Sequence, residues 1–479
     1  MYKLENNVQW TTGLKNAFKH NVTRASILYT NENEETIDLN EENNLIELTL
    51  QDDHYINGIG FIGTACAKKL DITIQDTNND INLENKDLIL KIGAEYNGST
   101  YYINYGNFIV DEAPKIDETN GKMTITAYDY MIKFNQPYKD RITYPTSLLL
   151  LTKDVCSQAG VTLATENFAN YDFIVTDNQF EGMTLREVLQ NIAKCAFSWA
   201  RIGQDNKLYL DFTQTADNTE TFTIDDYKTN GFKKAKEYYG PVNQVTYADS
   251  DIEGQEDRVR DTASIETDGL KELVIYDNLF GYTPDKRATL IQAGTRLFGL
   301  KYMPVSQLDS IGFIFLDCND IINIETLDNQ TYNTRAFNHT IKYTGTTSDS
   351  FVTEGTSNNE ETYRNTATNL LQNQQTRIIV DKANKKINAL VEESTEFENK
   401  LVQLEATVDG ISTEVDNMID YRREASGVTQ VFLENSGEFN IMELEIQGNK
   451  TYYANLYPGE NLYPGEWLQP NMEVADFDI

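Results

Sequence analysis

A mainly β protein of several domains, with one α+β module and a C-terminal coiled coil, is the fold class that three features of the sequence predict. Alternating apolar and polar runs recur with turn residues between them. Two capped amphipathic segments occupy the middle of the chain. A heptad pattern of apolar residues runs through the later part. At 479 residues the chain exceeds what one core can hold, so several domains are expected. Its 28 Tyr and 21 Phe favour strands over a helical bundle.

Residues 1–136 read as strands: LIELTL, KLDITIQ, LILKIGAEY, STYYINYGNFIV and GKMTITAYDY. Asn97-Gly98 and Asn120-Gly121 fall between alternating runs, the pattern of tight hairpins. Residues 137–237 change character. Thr146 or Ser147 can cap a helix whose apolar face is Leu148, Leu151, Val155 and Ala159, with Gly160 as its stop. Thr184 and Glu187 form a capping box ahead of Leu185, Val188, Leu189, Ile192, Ala193 and Ala196 at helical spacing. The runs FSWARI and LYLDF, joined by the polar turn GQDNK, read as a hairpin packed on those helices. Residues 238–357 return to strands (NQVTYA, ELVIYD, IGFIFLD, DIINIET, AFNHTIKYT), interrupted by one helix with Pro284 in its first turn behind Thr283.

Residues 358–422 carry a seam with alternating spacings of three and four: Val380, Ala383, Ile387, Leu390, Ser394, Phe397, Leu401, Leu404, Val408, Ile411, Val415 and Met418. Only Ser394 interrupts its apolar character. A lone helix with such a stripe would be insoluble, so the seam predicts self-association into a rod roughly 60 Å long. The core residues leave the strand number open. Val380 and Ile387 at a with Leu390 at d lean towards two strands, whereas Leu401 at a and Ile411 at d lean towards more. Residues 423–479 read as a small β-rich tip, with VTQVFLE, EFNIMELEIQG and a tandem NLYPGE. Each Pro-Gly specifies a type II turn, which would display Tyr457, Tyr463 and Trp467 at regular spacing. Those aromatics would either cover an oligomer tip, the commoner outcome, or make a carbohydrate or protein contact.

The formal net charge of −35 opposes binding of nucleic acid or of an anionic membrane. It suits solubility alone, or an acidic wall past which DNA slides without sticking. Cys66, Cys156, Cys195 and Cys318 are widely spaced, which excludes a zinc knuckle and points to free thiols. The start, MYKLENNVQW, has no secretion signal, and the longest apolar run, Leu148 to Leu151, cannot span a bilayer. The chain is therefore expected to stay in the cytoplasm until assembly or lysis, with no membrane insertion of its own.

Cofactor and metal signals fail on context. GIGFIG, Gly58 to Gly63, has the spacing of a dinucleotide-binding turn, but too few residues separate it from LDITI to form a crossover helix. Asp76, Asn78, Asp80, Asn82, Glu84 and Asp87 match calcium-loop spacing, yet Ile81 stands where the turn needs Gly, so a solvated acidic turn is favoured. The three histidines, His20, His54 and His339, are scattered, which disfavours zinc hydrolysis. His339 alternates with Phe337 and Ile341 and reads as a hydrogen-bonded strand residue. No G-x-S-x-G elbow or Walker loop occurs. No catalytic residue, cofactor or metal is assigned.

The segments NGKMTITAYDYMIKFNQPY, YPTSLLLLTKDVCSQAGVTL, GMTLREVLQNIAKCAFSWARIGQDNKLYL, YYGPVNQV and RAFNHTIKY resemble the tail hub proteins of phages and prophages of Gram-positive hosts. That family also goes under minor structural protein or prophage endopeptidase tail protein. The resemblance runs from about residue 50 to 365, and TVDGISTEVDNM is similar to the stalks that follow such hubs. It implies a homotrimer closing the tail tube, with two tube-like β-barrel domains per subunit and the α+β module outside. The implied partners are the tail tube, the distal tail protein and a tape-measure protein, with DNA passing through unbound. The place of work is the virion tail tip. The family name also raises a rival, a tail-associated peptidoglycan hydrolase, but only about fifty residues follow the stalk, without a nucleophile or metal constellation. A second rival is an adhesin whose C-terminal tip binds a host cell-wall polymer. The expected function is structural, with no enzymatic activity.

Overall fold

The structure, a computed structural model, describes residues 1–353 apart from short stretches, the longest being 249–255, and further on 429–430, 440–445 and 451–456. Every seam position from Val380 to Met418 lies outside the described residues, as do Tyr457, Tyr463 and Trp467. Two compact units divide the chain, Met1–Leu371 and Gln372–Ile479.

The first unit opens with helix α1 (Thr12–His20), followed by β1 (Thr23–Thr30), β2 (Thr36–Asn40), β3 (Leu45–Asp53), β4 (Lys69–Gln75), β5 (Asp87–Tyr96), β6 (Ser99–Val110), β7 (Lys115–Asp117) and β8 (Lys122–Asp129). The expected hairpin between β5 and β6 is present. Asn97 and Gly98 both take positive φ, 51° and 75°, as a tight turn matching strand twist requires. Helix α1 is absent from the sequence reading, because its buried face is only Leu14, Ala17 and Phe18.

The middle region holds a short pair, β9 (Thr146–Ser147) with β10 (Ile174–Val175), helices α2 (Leu148–Ala159) and α3 (Leu185–Cys195), and the hairpin β11 (Arg201–Ile202) with β12 (Leu208–Tyr209). Local chemistry sets both helices. The Ser147 hydroxyl accepts from Leu150 N–H, and Gly160 ends α2 in the left-handed region. The Thr184–Glu187 capping box is complete in both directions.

The rest supplies β13 (Thr219–Phe222), β14 (Tyr227–Lys234), β15 (Gln244–Ala248), β16 (Glu256–Arg260), helix α4 (Thr262–Asp268), β17 (Glu272–Tyr276), helix α5 (Pro284–Leu290), β18 (Val305–Ser310), β19 (Ile321–Glu325), β20 (Thr331–Arg335), β21 (Asn338–Tyr343) and β22 (Thr347–Thr353). Two departures from expectation occur here. Two helices interrupt the strands where one was predicted. The run IGFIFLD is not a strand, although Phe313 to Leu316 are fully buried. Gly312 explains this: its φ is 77°, and a Cβ there would meet the backbone of Phe18 and Lys19 at 2.5 Å, so the segment turns tightly beneath α1.

One large sheet follows the order β14-β18-β22-β21-β3-β4-β8-β6-β5-β1-β2, with β7 paired to β8. Its central step is β21 against β3, antiparallel, from Asn338 opposite Asp53 to Tyr343 opposite Leu48. The two β regions flanking the mixed module therefore share one hydrogen-bonded ladder. They also share one core, in which Ile27, Leu48 and Leu90 pack with Leu308, Ile341 and Phe351. A second core joins α2 and α3 to the sheet β16-β15-β17 through Leu189, Ile192, Val245, Tyr247 and Ile275. Packing thus cuts across the sequence segments. β13 and β19, which pair in parallel, contribute Phe222 and Ile324 to the first core.

In the second unit, β23 (Thr429–Gln430), β24 (Asn440–Glu445) and β25 (Thr451–Leu456) form an antiparallel meander, within the stretches read as strands for β23 and β24.

Candidate functional site

The candidate site of the first unit is a buried polar junction where its three regions meet. It begins with strand phase. In β3 the inward positions are Leu48, Leu50 and then Asp52, which places a carboxylate where the alternation calls for an apolar residue. Just before β4, Lys68 is buried in phase with Leu70 and Ile72. Burying these charges is costly unless they are paired. The Tyr2 hydroxyl donates to Asp52 Oδ2 at 2.6 Å, and Lys68 Nζ lies 3.5 Å from the same oxygen. His54 Nε2 lies 2.7 Å from Asp52 Oδ1, although the ring is angled away from a straight hydrogen bond. Burial pushes the Asp52 carboxyl up, but Lys68, His54 and Tyr2 together hold it well below the usual carboxylate range. Burial likewise depresses Lys68, and the charges of Asp52, Asp317 and Asp129 outweigh it, so its ammonium is held above the usual lysine range.

Asp129, at the end of β8, behaves differently. Its Oδ1 accepts from Met131 N–H at 3.0 Å and starts the turn that follows, while its Oδ2 is buried without a hydrogen-bond partner. Burial pushes this carboxyl up to about 6, against the Lys68 charge and two backbone donors.

The α+β module closes over this cluster with Trp199, whose ring lies 5.0 Å from His54, 5.1 Å from Phe212 and 5.6 Å from Phe337. Beside it Arg201 makes a bidentate pair with Asp211 at 2.8 and 3.1 Å and approaches Asp317 at 3.6 Å. A cavity of about 420 Å³ opens there, lined by Arg201, Asp211, Asp317 and Asp320 among others. The polar turn GQDNK grips the first β region directly. Gln204 donates to the carbonyls of Lys3 and Asn104, and Asn206 exchanges hydrogen bonds with Asn107. Gly106 permits that approach, since its φ is 98° and a Cβ would stand 3.0 Å from Asn206 Oδ1.

A clasp closes the ladder end. Asn338 accepts from the N–H groups of His54 and Tyr55 and donates to the Tyr55 carbonyl. His339, read as a hydrogen-bonded strand residue, is buried in β21 and stacked on Phe351 at 4.1 Å, but its Nε2, 3.5 Å from Asp349, makes no hydrogen bond.

The structure brings together none of the residues singled out for oligomerisation or tip recognition, which lie outside the described residues. It brings together Asp52, Lys68, Asp129, Trp199 and Arg201, which the sequence reading missed. Their signal was a charge on the inward phase of a strand. Of the calcium-like run, Asp76 accepts from Ile81 N–H and Asp87 from the Tyr130 hydroxyl, so both serve the local fold. Among the described residues no group of three or more His, Cys, Asp or Glu side chains is arranged to hold a metal. No described helix is long and apolar enough to cross a membrane. The four thiols are unpaired, and burial pushes those of Cys66, Cys156 and Cys195 up to about 12. Residues Phe61 to Lys68, the end of the glycine-rich run and the segment after it, form no helix that could seat a dinucleotide.

No protein-family model matches the chain, and no curated protein matches it. Similar solved structures exist. The 43 kDa tail protein of prophage MuSo2 from Shewanella oneidensis is 12% identical over 69% of this chain and 97% of that one, with a TM-score of 0.45. The tail protein from Neisseria meningitidis MC58 is 8% identical over 70% of this chain and 96% of that one, at 0.44. Prophage tail protein gp18 from Listeria monocytogenes EGD-e is 9% identical over 72% of this chain and 99% of that one, at 0.41.

Proposed function

We propose that the chain is a structural hub at the tip of a phage tail or of a phage-derived particle. Three copies close the tail tube, and DNA passes through without specific binding. The observation that carries this reading is the β3·β21 ladder with its shared core. It fuses two β regions, far apart in sequence, into one hydrogen-bonded body, as a subunit with two linked tube-like parts requires. The α+β module is clamped to that body through Trp199, Arg201 and the GQDNK turn, as an attached decoration requires. The resemblance in sequence supports the same order of parts, two tube-like β regions around one mixed module. The heptad seam supports self-association through a coiled-coil stalk. The net charge of −35 supports an acidic lumen.

In this reading the partners are two further copies of the chain, the tail tube above, the distal tail protein around and the tape-measure protein inside. The chain works in the virion and has no lytic activity. Electron microscopy of the purified full chain tests it. A threefold ring with a central hole is expected, and isolated single bodies would overturn it. Incubation with purified cell walls should release no soluble peptidoglycan; release would favour the hydrolase instead.

A further inference from the structure

Asp52 and Lys68 face each other across adjacent antiparallel strands. Gln51 pairs with Lys69 at the end of the β3·β4 ladder, which sets Asp52 opposite Lys68 one step beyond. Both side chains are buried, Asp52 at 4% and Lys68 at 2% exposure, so water has little access to the space between them. The contacts on the Asp52 carboxyl are sorted by oxygen. Oδ2 receives the Tyr2 hydroxyl at 2.6 Å and has Lys68 Nζ at 3.5 Å, whereas Oδ1 faces His54 Nε2 at 2.7 Å. Lys69 pairs with Tyr128, which sets Asp129 opposite Lys68 one step beyond; its N–H donates to the Lys68 carbonyl at 3.1 Å, and its Oδ2 is buried without a hydrogen-bond partner. The Tyr2 ring, 5.1 Å from Lys68 Nζ, and the Trp199 ring over His54 complete an aromatic enclosure.

We propose that Lys68 and Asp52 condense after folding into an intramolecular amide that ties β3 to β4, with Asp129 relaying the proton. The ion pair is the state before reaction. Moving a proton from Nζ to the carboxylate leaves a neutral amine and a carboxylic acid; the surroundings favour the charged pair, so the reaction draws on the small neutral fraction in equilibrium with it. The Nζ lone pair then attacks Cγ. The N–C bond forms as the π electrons of Cγ–Oδ1 move onto Oδ1, which His54 Nε2 faces at 2.7 Å. Asp129, poised to exchange a proton near neutrality, takes one from the attacking nitrogen and passes it to Oδ2. The Cγ–Oδ2 bond breaks, Oδ2 leaves as water beside the Tyr2 hydroxyl, and Oδ1 regains its double bond. One amine and one carboxylic acid give one amide and one water, with no oxidant or co-reactant. Fixing the partners across two paired strands replaces the encounter that makes this condensation slow between free molecules.

Intact-mass measurement of the denatured full chain, followed by tryptic mapping, tests the proposal. The expected mass is one water below that of the linear chain. A branched peptide should join Asp52 to Lys68, and trypsin should not cut after Lys68. Lys68→Met and Asp52→Ala should each restore the linear mass. Asp129→Asn keeps the Met131 cap through Oδ1 and guards against misfolding as the cause of any loss. With an unchanged far-UV spectrum, it should slow amide formation after refolding by roughly a hundredfold or more. Separate, unlinked Asp52 and Lys68 peptides from the folded wild-type chain would overturn the proposal. Formation at the wild-type rate in Asp129→Asn would overturn the relay.

Discussion

His339 of β21 stands directly across from Asp52 of β3, so a residue from the far end of the globular part closes the ladder against one from its beginning. Each has a buried polar neighbour, Asp349 at 3.5 Å from His339 and Lys68 at 3.5 Å from Asp52. The seam between the two β regions is therefore hydrogen-bonded and carries one buried ion pair, Asp52 with Lys68, and its chemistry sets the following expectations.

Breaking the seam should unfold both β regions together. Ile341 is buried opposite Leu50, so Ile341→Asp places an unpaired charge in the shared core and should cost about 4 kcal/mol or more. Denaturant unfolding followed by far-UV and aromatic signals should show one coincident transition at lower midpoint. A surviving transition from an intact amino-terminal β region would show that the regions are independent.

Asp129 should impose a pH dependence of definite sign. Its folded pKa, about 6, lies above the unfolded value near 3.8, so the folded state binds more protons between them and stability falls as pH rises through that window. A shift of about 2 units corresponds to roughly 3 kcal/mol, lost by pH 7. Asp129→Asn should flatten this slope in urea titrations at pH 4 and pH 7. An unchanged slope would place the titration elsewhere.

Trp199→Ala should loosen the module from the junction and cost about 3–5 kcal/mol, because the ring is almost wholly buried among His54, Phe212 and Phe337. Limited proteolysis should then cut within residues 137–237 before the β regions. Resistance equal to wild type would argue against the clamp.

Local signals were legible in the sequence and long-range ones were not. The Thr184–Glu187 box, the Ser147 and Gly160 caps and the Asn97-Gly98 turn are written within a few residues, and each takes its expected form. The pairing of LIELTL with NHTIKY is invisible in either run, because alternation fixes which face is buried but not which strand lies alongside. IGFIFLD misled because an apolar run buried on all sides has no period, and only Gly312 marked it as a turn. The junction was half-legible. Asp52 falls on the same phase as Leu48 and Leu50, but its partners Lys68, Asp129 and Tyr2 are assembled by the fold alone.

The stalk should drive oligomer stability. Leu401→Asp combined with Leu404→Asp places up to six carboxylates in adjacent layers of a three-stranded seam, each costing several kcal/mol, so sedimentation should show dissociation. Deleting residues 423–479 should leave the number of copies unchanged. The reverse pattern would make the rod a passive spacer.

Light scattering on the purified full chain tests the hub most directly. With a subunit mass of 54.6 kDa, a stable species of three subunits is expected across a range of concentrations. A stable monomer or dimer mass would contradict it.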